Sequence, residues 1–251
     1  MTQKSPSLAL LTGQLMTVLA LTAGYLIAGA EAAPPSAMIS GTVLQTNLVS
    51  DLPGVAAVLD PNLVNPWGIA ESPGSPFWIS DNGAGLSTLY QVPGTGGTSV
   101  SINPLVVSIP TPIGPDGGTP TGTVFNAALA SGAFPVTGLD KNGHAAAAPA
   151  VFLFATEDGT ISGWNPGIDP TGQFAGPNGE STHAALAVNN SGNNFTNPDP
   201  EQQTGAVYKA LTVATSGTPI LPADPDSTAL LYASNFRAGR AVDRPVERPD
   251  T

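Results

Sequence analysis

The sequence predicts an all-β fold of short strands and many turns, and three observations predict it. Glycine (29) and proline (26) together fill over a fifth of the 251 positions. Charged residues make up only 10%, too few to cover exposed helix faces with Glu and Lys. The apolar residues fall in short runs with few polar interruptions: "FWIS" at Phe77–Ser80, "VFLFAT" at Val151–Thr156 and "LLYAS" at Leu230–Ser234. Runs of this kind belong to strands covered on both faces, so each is placed in the middle of a sheet.

The chain opens with Lys4 and the stretch "LALLTGQLMTVLALTAGYLIAGAEA", followed by the small-residue pair Ala30 and Ala32. This pattern predicts a secretory signal peptide over 1–32, cut after Ala32, and a linker over 33–45. The alternative is an uncleaved anchor, because Leu8–Ala30 is long enough to cross a bilayer, although Thr12, Gly13 and Gln14 interrupt it. Either reading puts the remainder outside the cytoplasm, secreted or at the cell surface. After cleavage no stable membrane span remains.

Behind the leader one order recurs three times: a short strand-like piece, a loop of variable length, an apolar strand, then a polar turn. The first unit is "NPWGIAESPGSPFWISDNGAGLSTLYQV" from Asn65. The second combines "PTGTVFN" from Pro120 with "PAVFLFATEDGTISGWNP" from Pro149, and the third "GAVYKALTVA" from Gly205 with "TALLYASNFRAG" from Thr228. The Asp-Gly pair of "EDGT" predicts a hairpin of Val151–Thr156 with Thr160–Trp164 through a type I′ turn, and Asn82-Gly83 predicts the same event in the first unit. Ser80, Thr156 and Ser234, at the turns, are 76 and 78 positions apart. Recurrence of one antiparallel unit is the pattern of a β-propeller with four-stranded blades. The surplus over a usual blade length falls in "GPDGG", "KNGHAAAAP", "NNSGNNFTNPDPEQQ" and "TSGTPILPADPDS", which are read as surface loops.

The segments "TNLVSDLPGVAAVLDPNLVNPWGIA", "FWISDNGAGLSTLY", "FATEDGTISGWNP", "GAVYKAL" and "LYASNFRAG" resemble the signature segments of an uncharacterised family of secreted bacterial β-propeller proteins, and more distantly NHL-type repeats. The resemblance runs from about Thr46 to Gly239 and implies a partial propeller of about two and a half blades over 46–239. Members of that family continue beyond "NFRAG" with an apolar strand and further blades. Here "RAVDRPVERPDT" follows, and Asn235–Thr251 holds four of the seven basic residues: Arg237, Arg240, Arg244 and Arg248. Residues 240–251 therefore read as a non-native or disordered tail and the propeller as incomplete; a native acidic-basic tail is the other reading.

Residues 33–236 hold fourteen Asp or Glu against Lys141 and Lys209, a net of −12. Such a surface cannot neutralise phosphates, which excludes nucleic acid and anionic membranes and leaves calcium, cationic ligands and neutral glycans. Cysteine is absent, and His144 and His183 are the only histidines, so a three-histidine metal site cannot be built and a Ser-His-Asp triad has one of two imidazoles to use. Asp81, Asn82, Glu157, Asp158 and Asn235 sit at equivalent strand ends. Their oxygens suit Ca²⁺, with Asp81, Asn82, Glu157 and Asp158 as ligands. The same residue types also build hairpin turns for backbone reasons alone. Trp67, Trp78 and Trp164 suit either packing or stacking on sugars. The expected function is a binding or scaffold module for an extracellular protein or glycan. The alternative is a metal-dependent propeller hydrolase or lyase of the lactonase kind.

Overall fold

The structure, a computed structural model, describes residues 45–93, 99–192, 205–216, 228–236 and 240–242. The predicted signal peptide, all of the linker but Gln45, most of the two longest loops and residues 243–251 lie outside the described residues. Among the described residues no helix is long and apolar enough to cross a membrane.

The fold is all-β. After a short parallel pair, β1 (Val49–Ser50) with β2 (Val58–Leu59), comes a four-stranded antiparallel sheet of β3 (Pro66–Ala70), β4 (Phe77–Asp81), β5 (Leu86–Gln91) and β6 (Ser101–Ser108), in chain order. The second sheet begins with β7 (Pro120–Phe125). The chain then leaves through a 3₁₀ turn (Leu129–Ser131) and a separate hairpin, β8 (Pro135–Leu139) with β9 (Ala145–Pro149). It returns as β10 (Phe152–Thr156), β11 (Thr160–Trp164) and β12 (Ala185–Asn189), and the sheet order is β7-β10-β11-β12. The third sheet is β13 (Tyr208–Thr215), β14 (Ala229–Asn235) and β15 (Arg240–Val242). The three apolar runs thus form β4, β10 and β14, each flanked by a strand on both sides, as their unbroken hydrophobicity requires.

Every residue of β10 and β11 is buried, because the second sheet is covered on both faces. Alternation divides its side chains. Phe152, Phe154 and Trp164 join Trp78, Leu89, Leu105 and Val107 in a core between the first and second sheets. Leu153, Ala155 and Ile161 join Tyr208 and Leu231 in a core between the second and third. The inner strands close by backbone contact. A Cβ on Gly68 in β3 would lie 2.4 Å from the Thr121 carbonyl oxygen in β7, and one on Gly122 in β7 would lie 2.7 Å from the Leu211 nitrogen in β13.

Four expectations need correction. No sheet closes, and the two apolar cores join first to second and second to third sheet, so the described residues form stacked open sheets and not a propeller. The "EDGT" hairpin joins the two expected strands, with Phe152 opposite Trp164 and Ala155 opposite Ile161, but of its loop residues only Gly159 takes a positive φ (81°). Its loop is Glu157-Asp158-Gly159, a turn ending in a left-handed residue, instead of a two-residue type I′ turn. In the first unit Asp81 pairs with Leu86, which leaves a four-residue loop with Gly85, not Gly83, at positive φ (72°). The alanine-rich "KNGHAAAAP" is no loose loop: it supplies β9, and Val136 and Ala150 pack where a Cβ on Gly163 would stand, 2.8 and 2.6 Å away. Small side chains permit that close cover. Apart from these four, Arg240–Val242, at the start of the segment read as a tail, runs antiparallel to β14 with Asn235 opposite Arg240.

Candidate functional site

Of the four predicted ligands, the sheet packing brings two together. Asn82, in the β4–β5 loop, donates from Nδ2 to Glu157 Oε2 in the β10–β11 loop at 3.0 Å. On its other side Asn82 Oδ1 accepts from Asn65 Nδ2 at 3.1 Å. Asn65 takes a left-handed backbone (φ 51°), a conformation that asparagine tolerates better than most residues. Glu157 Oε1 in turn pairs with the Lys209 ammonium from β13. The Lys209 bond lowers the Glu157 carboxyl below its ordinary range, with help from Asn82 and against partial burial.

The chain Asn65–Asn82–Glu157–Lys209 therefore joins the ends of all three sheets, and aromatic rings flank it. The Lys209 nitrogen lies 4.5 Å from the Trp67 ring centroid and 5.7 Å from that of Phe236, within cation–π range. Both rings remain open to solvent, Trp67 at 49% and Phe236 at 75% exposure. Trp78 and Trp164 take the packing role instead: they are buried and 4.7 Å apart between their centroids.

The other two predicted ligands turn elsewhere. Asp81 is fully buried; its Oδ2 accepts the Thr88 amide (3.0 Å) and hydroxyl (2.7 Å), and its Oδ1 has no partner. Burial pushes this carboxyl up to about 7; the Thr88 bonds oppose the shift and the charge of Asp60 adds to it. Asp60 is held on the same side of the sheet by the Tyr90 hydroxyl at 2.8 Å, and burial raises the Tyr90 phenol in turn. Asp158 Oδ2 accepts the amide (2.7 Å) and hydroxyl (2.9 Å) of Thr119, which ties the β6–β7 connection to the hairpin. Asn235 Oδ1 accepts the Val207 amide at 3.1 Å. Among the described residues no three His, Cys, Asp or Glu side chains gather as a metal-binding group.

His183 is nearly buried. Its Nδ1 lies 3.2 Å from Asp169 Oδ2 and its Nε2 3.3 Å from Asp116 Oδ1. Ser181 completes a serine-histidine-aspartate trio in name only, since its hydroxyl donates to Asp169 Oδ2 (2.7 Å) and lies 2.8 Å from the His183 carbonyl oxygen, away from the imidazole nitrogens. Burial would raise the Asp169 carboxyl, but bonds from Ser181, Thr171 and neighbouring amides outweigh it and hold the group at about 2. The trio is built as a structural clamp that fastens the exposed Asp116 loop to the segment before β12.

Lys209, Trp67, Phe236 and Asn65 are the site residues that sequence reasoning did not assemble. One signal was available: Lys209 is one of two cations in residues 33–236, and a lone cation among so many carboxylates has a specific partner.

No protein-family model matches the sequence, and no solved structure matches it. The chain is 34% identical over 193 residues to an uncharacterized protein of Acanthamoeba polyphaga mimivirus, an alignment that covers 75% of this chain and 38% of the viral protein. The chain thus spans well under half the length of that relative. This finding, with the open sheets, overturns the expected membership in a bacterial propeller family: the similarity found is to a viral protein.

Proposed function

We propose that the chain is an exported binding module that takes a neutral glycan at the patch formed by Trp67, Phe236, Lys209, Glu157, Asn82 and Asn65. The observation that carries this reading is the pair of exposed aromatic rings beside a hydrogen-bonded chain of amide, carboxylate and ammonium groups. A pyranose presents C–H groups on its faces and hydroxyls on its rim; the first suit an aromatic face, the second suit Asn and Glu, and both exploit ring side chains that lose little entropy on binding. The acidic surface repels sulfated and phosphorylated glycans, which narrows the ligand to uncharged sugars. Calorimetric titration with neutral glucose- and N-acetylglucosamine-based oligosaccharides tests this, with a sulfated oligosaccharide as counter-probe. Trp67→Ala is expected to weaken binding at least tenfold with an unchanged melting profile. Absence of binding across the neutral panel, or equal affinity in the variant, would sink the reading.

A further inference from the structure

Five buried polar atoms at the interface of the first two sheets have no partner in the protein: Trp78 Nε1, Ser80 Oγ, Ser87 Oγ, Thr123 Oγ1 and Ser162 Oγ. Their positions are not scattered. Ser80 stands directly opposite Ser87 across β4 and β5, and Trp78 opposite Leu89 in the neighbouring pair on the same face. On the facing sheet Thr123 and Ser162 both stand opposite Phe154, one on each side of β10. Trp78 stacks on Phe152 at 4.4 Å, which sets the two rows against each other. Ser80, Ser87 and Ser162 are fully buried, and Trp78 and Thr123 are exposed by 3% and 7%.

We infer that this seam encloses ordered water bridging the hydroxyls of Ser80, Ser87, Thr123 and Ser162 and the indole N–H of Trp78. Buried polar groups in native proteins are almost all hydrogen-bonded, and five orphans in one seam would forfeit a large share of a domain's marginal stability. None of the five makes a hydrogen bond to another protein atom, and a guest held between the two rows is the partner that satisfies them. The chemistry selects its kind. An indole N–H only donates, which disfavours a cation beside it, whereas hydroxyls both donate and accept. Water meets both requirements, accepting from Trp78 and exchanging bonds with the serines and threonine. This site is independent of the surface patch proposed for glycan.

Two measurements on the whole chain test it. Water-proton or oxygen-17 relaxation dispersion of the unmodified protein should detect internal water with a long residence time, and a high-resolution crystal structure should place it within hydrogen-bonding distance of at least two of the five atoms. In Ser80→Ala and Ser162→Ala, the melting temperature should fall by about 2–4 °C per hydroxyl, and the double variant should lose part of the dispersion signal. A crystal structure of the unmodified protein with these hydroxyls bonded directly to one another, or alanine variants that melt at the same or a higher temperature without change in dispersion, would overturn the inference.

Discussion

The two seams of the molecule join the same strand unit in different ways. The first, between the first and second sheets, is aromatic: Trp78 lies against Phe152, Phe154 and Trp164, and the same faces carry serine and threonine hydroxyls that have no partner in the protein. The second, between the second and third sheets, is made of Leu153, Ala155, Ile161, Leu231 and the ring of Tyr208. Its polar groups along β7 are satisfied: the Thr121 hydroxyl lies 2.8 Å from the Tyr208 carbonyl oxygen and 3.2 Å from that of Ala155. Both seams share one device at the inner strands, where Gly68 and Gly122 let backbones touch.

Neighbours on β10 separate the two seams most directly, because Phe152 faces the aromatic seam and Leu153 the aliphatic one. Phe152→Ala removes a fully buried ring stacked on Trp78 and should cost about 4 kcal/mol in urea unfolding; Leu153→Ala should cost about 3 kcal/mol. If Leu153→Ala proved the more damaging by a clear margin, the aromatic seam would not be the dominant core.

The glycine contacts come next. Gly122→Ala forces a Cβ to within 2.7 Å of the Leu211 nitrogen and 2.8 Å of Ala210 Cα, all backbone that cannot yield without parting β7 from β13. A loss of about 3 kcal/mol is expected, measured by the same unfolding titration. Gly192→Ala, where a Cβ would meet nothing within 4 Å, is the control and should stay within about 1 kcal/mol. Equal behaviour of the two would mean that the inner strands are looser than their separation indicates.

A pH-dependent contribution sets the outer face of the first sheet apart from both seams. Burial raises the Asp81 carboxyl from 3.8 to about 7, so between these values the folded chain holds a proton that the unfolded chain has released. Stability from this group is therefore full below pH 4 and declines as pH rises towards 7, at up to about 1.4 kcal/mol per pH unit. Asp81→Asn keeps the shape without the charge and should flatten the decline between pH 5 and 6.5 in thermal melts, while leaving the seam variants' differences intact. An unchanged pH slope would assign the decline, if present, to other groups.

Local structure is the part of this protein that was legible in its residues. The runs "FWIS", "FLFAT" and "LLYAS" have no polar face, so they could only become central strands, and the short "EDGT" connection joins Phe152–Thr156 to Thr160–Trp164 as a hairpin. The turn geometries were less legible, since two added loop residues move the left-handed position from Gly83 to Gly85 without changing composition. The alanine-rich β9 was not legible at all: alanine has weak strand preference, and what makes a strand of it is its pairing with β8, from Ala145 opposite Leu139 to Pro149 opposite Pro135. The tertiary structure alone decided the candidate site. Asn82 and Glu157 are 75 residues apart and Glu157 and Lys209 are 52 apart, so their contacts exist only because glycine-mediated stacking of β3, β7 and β13 sets the sheet ends side by side. Asp81, although its place in the repeat is equivalent to that of Glu157, is buried on the outer face of the first sheet against Thr88: side-chain direction at a strand end depends on which residue is paired across the sheet, and a shift of one position exchanges one face for the other.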